Sequence, residues 1–244
     1  FNSFYVSQPN LIFSVSDTRL SGNNDPVSDF IHKGISDIEK NPLKIQPTIS
    51  NLKDILTTNQ IKDHKLYSEY ITLHVRSSPN EQSNSSKSNS RNSDIATYLE
   101  AIKFLIDKKI NVVRIGDLDS PKLPYTNGFI DLTLNERDLN IDIDLLANAK
   151  FHIATSSGPI NVPPLYGVPV LLTNSVRPLI QISFPMSFAI SKRCLNKKTN
   201  KFMPYYSFLK SDFINEEMKR DFGDYMLIDN SSLEILSAVK EMLK

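Results

Sequence analysis

Three short stretches gather residue types that handle anions and protons: His74-Val75-Arg76, Arg114-Ile115-Gly116-Asp117 and Thr155-Ser156-Ser157-Gly158-Pro159. In the first, His74 and Arg76 alternate with apolar neighbours. On one β-strand both side chains then leave the same face, about 7 Å apart along it. An arginine so placed can grip a phosphate through two parallel N–H bonds, which lysine cannot reproduce. A histidine can donate a hydrogen bond or act as a base. Such a pair also occurs on strands for structural reasons, and spacing alone leaves both roles open.

The third stretch places two hydroxyls and a glycine between an apolar strand and a following helix, so that backbone N–H groups and the positive helix end can face an anion such as a diphosphate. Pro159 suits the first helical turn, where its missing N–H costs nothing, and Gly158 permits close approach of a ligand oxygen. A plain strand-to-helix turn uses the same residues. Arg114 lies between Val113 and Ile115 near a strand end, where a charge needs an anion or a carboxylate such as Asp117 or Asp131 to compensate it. Asp94 reads as a first-turn partner of a helix dipole and Asp142 as a helix-start residue. No two carboxylates form a recognisable catalytic dyad.

The elements that would position these residues alternate. Tyr70 to Val75 reads as a strand, followed by a Ser-, Asn- and Lys-rich loop from Pro79 to Ser90. Ser93 or Asn92 caps an amphipathic helix with Ile95, Tyr98, Leu99, Ile102, Leu105 and Ile106 on one face. Asn111–Ile115 and Phe129–Leu132 follow as strands, then a helix from Asp142 to Ala149, a strand Phe151–Ala154, the turn, a short helix to Tyr166 stopped by Gly167, and a strand Val168–Thr173. Tyr225–Ile228 makes a last strand. Ser231 and Glu234 form a capping box for a final helix whose Leu233, Leu236, Val239 and Leu243 face the core. This order predicts an α/β fold, a Rossmann-like open parallel sheet with helices on both faces, whose ligands bind outside the carboxyl ends of the strands.

With 244 residues, 40% of them hydrophobic, the chain can bury a sizeable core. The formal charge of +1 gives no global attraction to nucleic acid or anionic membrane, and no segment approaches the roughly 18 to 20 apolar residues of a membrane-spanning helix. The basic run Lys192 to Lys201 reads as a solvated loop, with a patch for anionic lipid or an acidic acceptor as the competing role. The lone Cys194 has neither disulfide nor metal-ligand partner in the sequence pattern. These features predict a cytoplasmic protein, with peripheral contact at the inner face of the membrane as its only membrane relation. Because the chain opens on Phe1 without a signal-peptide pattern, it reads as a fragment. Residues 1–66, with short helices between Asp29 and Ile61, are expected to be the helical or irregular remnant of an N-terminal domain, and residues 67–244 a Rossmann-like nucleotide-sugar-binding domain.

From about Ile71 to Pro178 the chain resembles the bacterial glycosyltransferases of surface-polysaccharide clusters, related in fold to the fucosyltransferase-like GT-B enzymes. The resemblance rests on the order and spacing of His74-Val75-Arg76, Arg91-Asn92-Ser93-Asp94-Ile95, Thr97-Tyr98-Leu99, Val113-Arg114-Ile115-Gly116-Asp117, Leu123-Pro124, Phe129-Ile130-Asp131, Phe151 to Gly158, Gly167-Val168-Pro169 and Thr173-Asn174. It implies the C-terminal half of a GT-B enzyme that transfers a sugar from a UDP- or GDP-linked donor to a glycan or lipid-linked glycan acceptor, with no metal and no other cofactor. His74 and Arg76 would be catalytic, Arg76 as the HxR arginine on the donor phosphates. Arg114, Gly116, Asp117, Thr155, Ser156, Ser157, Gly158, Asn161 and Asn174 would bind the donor. The family places an acid directly after that arginine. This chain has Ser77.

Two other readings compete. A non-hydrolysing sugar-nucleotide 2-epimerase shares Ser157-Gly158, Gly167 to Val170 and Arg177-Pro178, but it needs several acid/base carboxylates that cannot be placed here. An inactive nucleotide- or carbohydrate-binding module is favoured by Ser77.

Overall fold

The computed structural model describes residues 13–14, 67–77, 90–118, 120–124, 126–134, 136–176, 187–211 and 221–244. The helices expected between Asp29 and Ile61, the polar loop except for Ser90, and Arg177-Pro178 lie outside the described residues.

Short β-branched runs make the centre of the fold. β1 (Phe13–Ser14), β2 (Glu69–His74), β3 (Ile110–Arg114), β4 (Phe129–Asp131), β5 (His152–Ala154), β6 (Val170–Ser175) and β7 (Phe188–Ser191) form one sheet in the order β1-β7-β6-β5-β2-β3-β4. The six strands from β7 to β4 are all parallel, and β1 joins antiparallel at the β7 edge. This is the predicted α/β fold, with helices on both faces.

Side-chain alternation decides which face each helix covers. Ile71, Leu73, Val75, Val112, Phe151, Ile153 and Leu171 point to one side, where α1 (Leu99–Asp107) and α4 (Ser232–Met242) bury Ala101, Ile102, Leu105, Ile235, Ala238 and Val239. Tyr70, Val113, Ile115 and Ile130 point to the other and pack under α2 (Leu139–Asn148) through Leu145 and Leu146. Both faces are apolar, as a buried parallel sheet requires. A second, four-stranded antiparallel sheet follows, built from β8 (Arg193–Asn196), β9 (Lys201–Phe202), β10 (Asp221–Phe222) and β11 (Tyr225–Ile228), with α3 (Tyr205–Leu209) against it through Phe208. The strand expected at Tyr225–Ile228 is therefore present but belongs to this smaller sheet.

Several local expectations need correction. The cap before α1 is Asp94, not Ser93 or Asn92: its carboxylate accepts from Ala96 N at 2.9 Å and starts a 3-10 turn, Ile95–Tyr98, that runs into the α-helix. α2 starts earlier than Asp142, capped by Asp138, while Asp142 sits in the first turn and pairs with Arg137. The segment after the Thr155 turn is not an α-helix but two 3-10 turns, Gly158–Asn161 and Pro163–Tyr166. Pro159, Pro163 and Pro164 supply no N–H for an i→i−4 ladder, so only short i→i+3 turns form. Gly167 ends them in the left-handed region at φ 75°, as its position predicts.

On α4 the capping box is present as expected. Leu233, however, is 74% exposed. The buried stripe keeps the expected Val239, with Leu243 half-buried against the same core, and adds Ile235 and Ala238. The basic run is a solvated loop only in its second half, where Lys197 to Lys201 are exposed at a turn; the first half is not. Its alternation makes the β8–β9 hairpin, Lys192 is fully buried against Asp229 and the Asn92 carbonyl, and Arg193, Lys197 and Lys198 pair with Glu234, Asp221 and Asp224.

Candidate functional site

The chain leaves β2 and builds β3 and β4 on one side, then returns to build β5, β6 and β7 on the other. The order of strands reverses between β2 and β5, and at such a switch point the loops beyond the carboxyl ends part and leave a crevice. His74 ends β2 with Arg76 two residues beyond, and Thr155 follows β5 directly.

Hydrogen bonds zip these two strand ends together. Thr155 N–H donates to the His74 carbonyl at 3.1 Å, and Arg76 N–H donates to Thr155 Oγ1 at 2.8 Å. Ser157 Oγ lies 2.8 Å from His74 Nδ1 and 3.2 Å from the Thr155 carbonyl oxygen. On the other flank of the imidazole is Gly116 at φ 150°, where an added Cβ would stand 3.8 Å from His74 Cδ2 and 3.4 Å from both Ser120 and Thr133. Glycine is favoured there by backbone conformation, since a Cβ would make only ordinary contacts.

The electrostatics of the pair differ. Burial holds the His74 imidazole down to about 4, with Arg114 and Arg76 pushing in the same direction and Asp117 and Asp142 opposing them. It is a neutral donor-acceptor at pH 7. Burial also lowers Arg76, and the neighbouring Arg91 adds to that while Asp117 opposes it. The Arg76 guanidinium has no hydrogen bond or ion pair among the described residues. A half-buried cation beside a second cation, with its donors unspent, is a ready anion site.

Around this centre the other expected residues fall into two groups. Asp117 is exposed and faces both His74 and Arg76; Gly158 is exposed with open space where a Cβ would be; Ser156 is half-buried in the same turn; and exposed Asn161 donates to the Gly158 carbonyl at 3.3 Å. Arg114 and Asn174 are committed elsewhere. Arg114 is 1% exposed, its Nη1 bonded to Asp131 at 2.9 Å and to the Pro121 carbonyl at 2.7 Å. Asn174, at φ 54°, is buried and bonded to Asn230 and Tyr98.

Residues absent from the expected set hold the site in place. Arg137 clamps Asp142 with two bonds, 2.6 and 2.9 Å, and donates to the Gly116 carbonyl at 3.0 Å, fixing the β3 loop to the start of α2. An Arg-Asp pair opening a helix with an acid in its first turn was the available signal. His152, fully buried beneath His74 with Thr72 at 2.9 Å, is held down to about 3 by burial. A cavity of about 250 Å³ opens beside the turn, walled mostly by apolar residues such as Ile115, Leu146, Pro159 and Val162, with Asp142 also in its lining. Among the described residues no cluster of three His, Cys, Asp or Glu could hold a metal ion, and no helix is long and apolar enough to cross a membrane.

No protein-family model matches the chain, and neither does any curated protein. Among solved structures it is similar to a glycosyl transferase family 9 protein from Veillonella parvula, at 10% identity and a TM-score of 0.47 over 78% of this chain and 50% of that one. It is also similar to ADP-heptose LPS heptosyltransferase II of E. coli, at 17% identity and a TM-score of 0.45 over 80% and 52%. A third is KpsC of Thermosulfurimonas dismutans, a beta Kdo 2,4 transferase, at 12% identity and a TM-score of 0.36 over 85% and 71%. The chain spans about half the length of the first two.

Proposed function

We propose that residues 67–244 form the nucleotide-sugar-binding domain of a glycosyltransferase, which moves a sugar from a UDP- or GDP-linked donor to a surface-glycan acceptor. The observation that carries this reading is the unspent Arg76 guanidinium at the β2/β5 switch point, beside the Thr155–Gly158 turn. Arg76 and the Ser156 to Gly158 amides take the donor diphosphate, and Asp117 limits how much positive charge faces it. The apolar cavity next to the turn gives a nucleobase a place to pack. The sequence resemblance points the same way.

In this mechanism an acceptor hydroxyl attacks the anomeric carbon while Arg76 and the turn stabilise the charge that develops on the leaving diphosphate. The preorganised cation and amides meet that charge, so no metal is called upon. Calorimetric titration with UDP-, GDP- and CMP-sugars tests the reading. Binding of one nucleotide class that is lost in Arg76→Ala is the expected result, and no binding across the panel refutes it. Ser77, standing where the resembled family has an acid, favours a second reading as a binding module without turnover. Donor binding without release of nucleoside diphosphate in the presence of acceptor glycans would select it.

A further inference from the structure

We infer that Ser157 is a positioning residue: it holds His74 as the Nδ1–H tautomer, so that Nε2 presents its lone pair to the crevice as the proton acceptor of the reaction. The catalytic half of this assignment rests on the glycosyltransferase reading. The tautomer half does not.

One proton decides the matter. Ser157 Oγ carries a single hydrogen and has two polar neighbours, His74 Nδ1 at 2.8 Å and the Thr155 carbonyl oxygen at 3.2 Å. A carbonyl oxygen only accepts. Both contacts are hydrogen bonds only when the hydroxyl proton goes to Thr155 and Nδ1–H donates to Oγ. With the opposite tautomer the hydroxyl would turn to Nδ1 and leave two oxygen lone pairs facing each other. The bond to Ser157 is the only hydrogen bond of the imidazole among the described residues, so Nε2 is left to a ligand. Burial disfavours an imidazolium in the resting state, while Asp117 and Asp142 limit that penalty once a proton arrives, against a smaller opposing effect of Arg114 and Arg76.

The resulting step balances. The acceptor hydroxyl gives its proton to Nε2 as its oxygen forms the new bond to the anomeric carbon. The bond from that carbon to the diphosphate oxygen breaks, its electron pair leaving with the phosphate beside Arg76. His74 then returns its proton to solvent. Ser157 is thereby separated from the phosphate-binding part of its own turn: its side chain serves the base, and its neighbours' amides serve the donor.

Long-range proton–nitrogen correlation spectra of the full chain labelled with 15N-histidine test this, the His74 signals being assigned by their absence in His74→Gln. The wild-type protein should show Nδ1 protonated and Nε2 unprotonated at pH 7. Ser157→Ala should lose that preference and lower kcat more than about tenfold with the donor KM unchanged, while Ser157→Thr, which keeps the hydroxyl, should restore both. An unprotonated Nδ1 in the wild-type protein overturns the assignment, as does a Ser157→Ala protein that keeps both tautomer and turnover. Should no nucleotide sugar bind, the transferase reading fails, and the spectra still decide the tautomer.

Discussion

Asn174 and Asn230 exchange hydrogen bonds in both directions: Asn174 N–H donates to the Asn230 side-chain oxygen at 2.7 Å, and Asn230 N–H donates to the Asn174 side-chain oxygen at 2.6 Å. Asn230 also donates to the Ser191 carbonyl at 2.9 Å. The pair ties the end of β6 to the residue before the Ser231 cap of α4, and both members are buried. Asn230→Ala strands the Asn174 amide and the Ser191 carbonyl without solvent access. We expect a loss of about 2–4 kcal/mol in urea denaturation, with the far-UV spectrum of the remaining folded protein unchanged.

Arg76→Ala should lower donor affinity or turnover by more than tenfold, about 1.4 kcal/mol or more, which is within the range of a charge-assisted phosphate contact. Its guanidinium bonds to no other group among the described residues, so the denaturation midpoint should stay where it is. A fully active Arg76→Ala variant would remove Arg76 from the site.

The Arg114–Asp131 pair makes an asymmetric prediction. Asp131 also accepts from Thr133 N and Oγ1, at 3.1 and 2.6 Å, so Arg114→Met leaves it partly satisfied. Asp131→Ala leaves a buried guanidinium with only the Pro121 carbonyl, and should cost about 3–5 kcal/mol. Equal losses in the two variants, read from chemical denaturation, would contradict this. Because Arg114 is 1% exposed and its Nη1 is committed to Asp131, its replacement should weaken donor binding much less than Arg76→Ala.

Two depressed histidines give stability a pH slope. His74 at about 4 and His152 at about 3 are both below the 6.5 of an unfolded histidine. The unfolded chain therefore binds more protons between about 4 and 6.5. Stability from this source is fully present above about 6.5 and falls as the pH drops through that window, by up to about 1.4 kcal/mol per pH unit for each histidine. His152→Gln should remove one proton's worth of this slope. Denaturation curves at several pH values between 4.5 and 7.5 measure it, and an unchanged slope would mean that His152 is not buried as a neutral imidazole.

Alternation and period made much of this fold legible. Ile71-Leu73-Val75, Val112-Val113 and Phe151-Ile153 are buried runs in which a strand between two covered faces can be read directly, and Ser231 with Glu234 announced its helix. What could not be read depends on contacts distant in sequence. Nothing local marks Asn230 as the partner of Asn174, or Lys192 as a buried cation rather than one more charge in a basic run. The Thr155 turn is visible from residue types, but its 3-10 path depends on Pro159, Pro163 and Pro164 acting together, which no single position announces. His74 and Arg76 could be placed on one face of one strand. Asp131 could be named beside Asp117 as a carboxylate able to compensate Arg114, and the pairing of β3 with β4 selects Asp131; that Ser157 faces the imidazole follows only from strand order.

The bonds that make the crevice span long stretches of chain: Ser157 is 83 residues from His74, and Thr155 is 79 from Arg76. Each requires β5 to dock beside β2 after the chain has completed β3, β4 and the helices between them. Closing loops of that size is entropically slow and is rewarded only when the parallel pairing forms. Ligand affinity should accordingly arise in the slowest phase of folding, together with the β2–β5 pairing, and in a chain cut between Asp131 and Arg137 the two halves of the site would lose their covalent link and meet only through that pairing.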